Sequence, residues 1–274
     1  MNRVVIDNVR DFDVRDTFEC GQCFRWEAEE DGSYTGIAAG RIANISCRDG
    51  RLVLDNVSPQ AYRDFWHDYL DLGRDYGKIR SYLASRDEVI CRAMNYGSGI
   101  RILAQEEWET LVSFIVSANS NIPRIKKNIG MLAEMFGEPE GEYRGRMYYS
   151  LPDAEKMASL SLEDLAPVRL GYRAPYLIKT ARMVVDDGGV IDGDDLEKYA
   201  GVGPKVAACV SLFGFHRIDS FPIDTWVKQV MNRLYGIEKS DTAAMRQLAE
   251  ERFSPYGGIA QQYLFYYMRE NSRS

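Results

Sequence analysis

The stretch from Leu196 to Trp226, LEKYAGVGPKVAACVSLFGFHRIDSFPIDTW, constrains this chain most. Gly201-Val202-Gly203-Pro204 separates a short polar-apolar run beginning at Leu196 from the small, apolar run Val206, Ala207, Ala208, Cys209, Val210, a spacing that predicts helix, tight hairpin, helix. Gly201 and Gly203 permit positive φ and let a ligand come close to the backbone. Pro204 suits the first position of a helix, where its missing N–H would have no partner anyway. Amide N–H groups at that helix start point outward, and the macrodipole favours an anion such as a phosphate. A Gly-x-Gly turn alone is an ordinary loop, so the neighbouring residues decide its meaning.

Lys205 follows the hairpin at the mouth of the second helix, where the positive end of the dipole disfavours an ammonium and favours a neutral, nucleophilic amine. Further on, Phe221-Pro222-Ile223-Asp224-Thr225 places a carboxylate after an apolar stretch and a proline. Asp224 reads either as the cap of a third helix or as a carboxylate serving oxocarbenium-like charge and proton transfers in sugar chemistry. The segment resembles the signature of the helix-hairpin-helix-GPD superfamily of DNA glycosylases, with hairpin, lysine and Pro-x-Asp element in order and at the family spacing. A lysine at 205 implies the bifunctional branch, in which the amine attacks C1′ of the damaged nucleotide, expels the base and leaves a Schiff base that undergoes β-elimination.

The 274 residues suffice for two or three modest domains. No apolar run approaches the ~20 residues of a membrane span, and Met1-Asn2-Arg3 leads straight into a strand-like segment. A soluble, cytoplasmic, nucleoid-associated protein of bacterial type is expected, with no membrane partner. Five scattered cysteines (Cys20, Cys23, Cys47, Cys91, Cys209) suit a reducing compartment. Cys20-Gly-Gln-Cys23 has no second pair, and His67 and His216 are isolated, so no side-chain metal site is expected. The C-terminus lacks the four-cysteine cluster of iron–sulfur glycosylases. A net charge of −7 argues against affinity from a broad basic surface. Local grip by hairpin amides and a few cations remains open to it.

Along the chain, Val4–Ile6, Cys23–Trp26, Tyr34–Ile37, Ile42–Ile45 and Leu52–Leu54 read as strands, with Asp49-Gly50 a strong hairpin signal. After Ser58-Pro59, Tyr62, Phe65, Trp66, Tyr69 and Leu70 take helical spacing, and everything beyond about residue 85 reads as helix. The expected fold is α+β: an antiparallel β-sheet domain at 1–85, TBP-like by the resemblance, then a mainly α-helical helix-hairpin-helix-GPD region of two subdomains at 86–274. Residues 100–137 read as a buried helix, a polar turn and a second helix ended by Gly137.

Four further stretches extend the resemblance to the 8-oxoguanine glycosylases of the Ogg type. Phe18-Glu19-Cys20-Gly21-Gln22-Cys23-Phe24-Arg25-Trp26 is similar to their GQ-x-FRW segment, which implies that Gly21 offers its carbonyl to the N7 hydrogen of the oxidised base, where normal guanine has a bare acceptor. In Ser117–Asn121 and the following helix, Asn119 would fill the gap left by the flipped base and Arg124 would contact the orphaned cytosine. Ser120 departs from the three-asparagine version of some relatives, and Lys126 and Lys127 read equally as phosphate-facing or solvated. Leu170-Gly171-Tyr172-Arg173-Ala174-Pro175-Tyr176 pairs a wedge, Tyr172, with a contact to the estranged base, Arg173.

Gln261 and Phe265 stand four apart on one helix face, an amide for the Watson–Crick edge of a purine and a ring for its flat side. Cys209, four after Lys205, would stack opposite. Trp226 stands where some relatives have a phosphate-binding histidine, and the backbone carbonyls of Glu197, Tyr199 and Val202 match positions that hold a monovalent cation in relatives. The implied activity is excision of 8-oxoguanine, preferentially opposite cytosine, from double-stranded DNA by a monomer that needs no cofactor. The rivals are a glycosylase for another damaged purine on the same scaffold, such as an alkylpurine, and a non-catalytic helix-hairpin-helix DNA-binding module; the latter would need neither Lys205 nor Asp224.

Overall fold

Short apolar strands punctuated by tight turns build the first part of the molecule. The computed structural model describes residues 2–271. Strands β1 (Arg3–Ile6), β2 (Trp26–Ala28), β3 (Tyr34–Ala38), β4 (Arg41–Arg48) and β5 (Arg51–Asp55) form an antiparallel sheet in the order β1-β5-β4-β3-β2. Its register lines up Val4, Leu54, Ile45 and Tyr34 in one buried row. Asp49 and Gly50 both take positive φ (51° and 74°), the geometry of a two-residue hairpin turn.

Two local expectations fail here. A helix, α1 (Val14–Glu19), capped by Asp13, sits between β1 and β2. The strand expected over Cys23–Trp26 starts only at Trp26. The reason is Gln22, fully buried, whose Nε2 donates to the carbonyls of Thr17 (2.9 Å) and Arg101 (2.8 Å) and whose Oε1 accepts from the Leu103 amide (2.9 Å). That amide pins residues 20–25 as a bend instead of a ladder.

From Ser58, which caps its helix through the Ala61 amide, the short helices α2 (Pro59–Ala61) and α3 (His67–Tyr69) run on either side of a wide turn, Tyr62–Trp66. This stretch covers the sheet: Trp66, Tyr69 and Leu70 are buried, and the Trp26 indole donates to Tyr69 Oη at 2.9 Å. The helical region comprises α4 (Tyr76–Ala84), α5 (Glu88–Tyr96), α6 (Glu107–Ser117), α7 (Ile122–Phe136), α8 (Ala154–Ser159), α9 (Leu162–Leu165), α10 (Ala174–Asp186), α11 (Pro204–Phe213), α12 (Thr225–Tyr235), α13 (Thr242–Phe253) and α14 (Gly257–Asn271).

It is not wholly helical. Strands β6 (Pro139–Tyr143) and β7 (Arg146–Tyr149) form a hairpin whose turn residues Arg144 and Gly145 have φ of 50° and 73°. Arg146 ties this hairpin to the sheet through Glu27 (2.7 Å) and Glu29. Among the described residues there are two hydrophobic cores. One lies under the sheet around Trp26, Ile45, Leu52 and Trp66; the larger joins α4–α6, α10–α14 and the bend residues Cys20 and Phe24. The bend is thus held between the two cores, which positions it over the site.

Candidate active site

Leu196–Lys198 makes only a single tight helical turn, so the hairpin has one short arm and one full arm, α11. Gly201 takes φ +81°, and a Cβ there would lie 2.9 Å from the Tyr176 ring and its Cβ, so no other residue fits without displacing that ring. Thr180 Oγ1 braces the turn by donating to the Ala200 carbonyl at 2.8 Å. Gly203 is different: its backbone is extended and a Cβ there would meet nothing within 4 Å, so its surface is open to a ligand. The Tyr199 carbonyl, one of the three matched to a cation position, accepts from the Val202 amide at 3.1 Å and keeps a second lone pair.

Pro204 and Lys205 are the first two residues of α11. Lys205 Nζ stands 5.0 Å from the centroid of the Phe114 ring, whose π face attracts the ammonium and fixes where the amine sits. Cys209 stands one turn along the same helix. Burial raises the Cys209 thiol, and the lysine's charge works against that rise. Asp224 caps α12, accepting from the Val227 amide at 2.8 Å. Burial raises its carboxyl above the ordinary value, while the Val227 amide and the Lys205 charge pull it back. Asp224 is thus a helix cap that also feels the charge of the lysine.

Both groups face a cleft of about 690 Å³ whose lining also includes Gly21, Cys209, Trp226, Gln261 and Phe265. Gly21 takes φ +86° in the bend, and a Cβ there would come within 3.2 Å of the Phe265 ring. Gln261 is buried, and its Oε1 has no hydrogen-bond partner. Such an acceptor inside a cleft is unfavourable until a ligand donor reaches it. Asn119 borders the same cleft with φ +48°, and its Nδ2 donates to Tyr172 Oη at 3.1 Å. Tyr172 is 49% exposed, as a wedge requires.

Arg173, expected to contact an estranged base, is 6% exposed and gives its guanidinium to the carbonyls of Ala118, Asn119 and Leu170. In this conformation it holds the Asn119 loop. Arg124 is exposed on the first turn of α7. Lys126 is not free for phosphate: it donates to the Trp26 carbonyl at 2.9 Å and pairs with Glu19. Phe114 and Arg269 also line the cleft; an aromatic in an apolar helix carries no sequence signal of a site, and a cation near a helix end ordinarily marks solvent.

Sheet, hairpin, lysine and capped aspartate together define a class, and the comparisons agree. The chain belongs to the helix-hairpin-helix-GPD superfamily of base excision DNA repair proteins, which matches residues 112–255, and within it to the Ogg-type glycosylase/lyases, with residues 4–111 matching the 8-oxoguanine DNA glycosylase N-terminal domain. The structure of MBOgg1 in complex with a low-affinity DNA ligand is 43% identical, with a TM-score of 0.93 over 99% of this chain and 97% of that one. The Clostridium acetobutylicum 8-oxoguanine glycosylase/lyase, in complex with DNA containing cytosine opposite 8-oxoG, is 38% identical, with a TM-score of 0.93 over 99% and 96%. The N-glycosylase/DNA lyase of Saccharomyces cerevisiae is 39% identical over 160 residues, 51% of this chain and 43% of the yeast protein. Among the described residues no helix is long and apolar enough to cross a membrane.

Proposed function

We propose that the protein flips 8-oxoguanine out of duplex DNA, excises it and cleaves the strand as a bifunctional glycosylase/AP lyase. The observation that carries this reading is the meeting, in one cleft, of Lys205 and Asp224 with Gly21, Cys209, Gln261 and Phe265. Extrusion of the base costs a few kcal/mol. Hairpin amides at Gly201 and Gly203, with Asn119, Arg124 and Tyr172, offset that cost on the opened duplex, and Arg173 contributes by holding the Asn119 loop. The base lies between Cys209 and Phe265 and is read by the Gly21 carbonyl and the Gln261 amide.

Lys205 Nζ, having given up its proton, forms a bond to C1′ as the bond from C1′ to the base breaks; the base takes the electron pair and a proton. The Asp224 carboxylate stabilises the positive charge that develops on the sugar. Loss of a second proton from nitrogen and opening of the sugar ring give the Schiff base. Removal of a C2′ proton then expels the 3′ phosphate. All groups come from the chain, so no cofactor is needed, and one copy of the chain suffices. The hairpin carbonyls of Glu197, Tyr199 and Val202 suit a monovalent cation that steadies the turn. A preference for cytosine opposite the lesion is supported by the exposed Arg124 and by the duplex bound to the clostridial relative.

The test is a single-turnover incubation with duplex DNA carrying 8-oxoguanine opposite cytosine, with and without borohydride, for wild type and Lys205→Gln. A trapped adduct and a nick in the wild type alone are expected. Base loss without an adduct would mean that water attacks, and inactivity on this lesion would turn attention to other damaged purines. Equal excision opposite all four bases would remove the role given to Arg124.

A further inference from the structure

Gln261, Phe265 and Arg269 follow one another at four-residue intervals along α14, and all three border the cleft. Arg269 is a cation only 5% exposed. Its Nη2 donates to the Glu19 carbonyl at 2.6 Å, and its Nε to the Glu270 carboxylate at 2.8 Å. The guanidinium carbon lies 5.4 Å from the centroid of Phe265. Its remaining nitrogen, Nη1, is buried without a partner, as is Gln261 Oε1 two turns earlier on the same helix. A buried donor with no acceptor is unfavourable and marks the place where a ligand acceptor belongs. A Cβ built on Gly21 would lie 3.4 Å from Nη1. Glycine at 21 therefore lets the bend come close to this nitrogen and to the Phe265 ring.

We propose that Arg269 is a specificity-determining residue whose Nη1 donates to the C8 carbonyl oxygen of the flipped oxidised purine. The assignment rests on the reading above that the cleft takes 8-oxoguanine. Gln261 then serves the Watson–Crick edge, including the C6 oxygen. The Gly21 carbonyl serves N7–H. The C8 end of the ring is what remains for a donor placed beside Gly21 and away from Gln261. An acceptor and a donor side by side match the adjoining N7–H and C8=O of the lesion. Normal guanine offers a bare N7 and a C8–H, so it leaves both protein groups unpaired.

The experiment compares single-turnover excision of 8-oxoguanine and of 8-thioguanine, which keeps N7–H but replaces the oxygen with sulfur, a weaker acceptor. Duplexes with either base opposite cytosine are given to wild type, Arg269→Met and Arg269→Lys. A charge-assisted hydrogen bond corresponds to a wild-type preference for the oxygen compound of roughly tenfold to a hundredfold. In Arg269→Met that ratio is expected to collapse towards one, through loss of 8-oxoguanine excision, and in Arg269→Lys to recover in part. An unchanged ratio, with both substrates slowed alike, would make Arg269 a brace for the bend and overturn the proposal. Should Arg269→Met fail to melt cooperatively, the ratio in Arg269→Lys decides, and equality with wild type overturns the proposal. No excision of 8-oxoguanine by wild type would instead overturn the functional reading itself.

Discussion

The two walls of the cleft are built on different principles. One wall, α11 and α12, carries Lys205 and Asp224 at the starts of helices, where orphan amides and dipoles act on charge and the side chains are only half-buried. The other wall joins the bend around Gly21 to α14. Gln262 Nε2 donates to the Cys20 carbonyl at 2.5 Å and Arg269 to the Glu19 carbonyl, both from nearly full burial. The reactive side chains Lys205 and Asp224 are local in sequence and are not themselves part of the core that their helices join. The reading wall spans about the whole chain and is part of the core. Chemistry and stability should therefore separate on the first wall and move together on the second.

The largest effect tests the first wall. Lys205→Gln should lower excision by about a thousandfold or more and abolish the borohydride adduct, with unfolding free energy changed by no more than ~0.5 kcal/mol. Asp224→Asn comes next. Asparagine caps as well as aspartate, so melting should stay within ~0.5 kcal/mol while excision falls about a hundredfold, whereas Asp224→Ala should also lose ~1 kcal/mol of stability. Full activity in Asp224→Asn would reduce the aspartate to a cap and break the comparison.

On the second wall, Gln262→Leu strands the buried Cys20 carbonyl. A loss of ~1–3 kcal/mol in chemical denaturation should accompany weaker preference for the lesion. Lesion preference lost without any change in stability would show the walls to be alike.

The smallest effect concerns pH. Burial raises the Asp224 carboxyl, and in the proposed mechanism its charged form is the active one, so excision should decline on acidification around a midpoint above the ordinary 3.8. For stability the sign is opposite. A carboxyl raised on folding favours the folded state at pH below its unfolded value, and that contribution is lost as pH rises through the folded value. Proton titration of Asp224 in Lys205→Gln should move higher still, because the opposing charge has gone.

The same division governs what could be read from the amino acids alone. Lys205, Asp224, Gly201 and Gly203 were legible because helix-cap and hairpin chemistry acts within a few residues, and Gln261 with Phe265 because a four-residue interval means one helix face. Gly21 required a resemblance, since its bend is set by Gln22 reaching Arg101 and Leu103 some eighty residues away. Arg269 was not legible, because a cation near a helix end usually marks solvent. The β6–β7 hairpin escaped because Pro139-Glu140-Gly141-Glu142 lacks β-formers and its turn is Arg-Gly instead of Asn-Gly or Asp-Gly. Arg173 looked like a free contact, yet its guanidinium closes on three carbonyls that only the folded loop assembles.

The ties from α14 back to Cys20 and Glu19 also order events during synthesis. A growing chain can complete the sheet, the hairpin and the lysine helix before α14 has been made, but Gly21 has no ring or guanidinium beside it until α14 emerges and docks. The contacts that α14 makes with the bend thus come later in synthesis than the helix that carries Lys205.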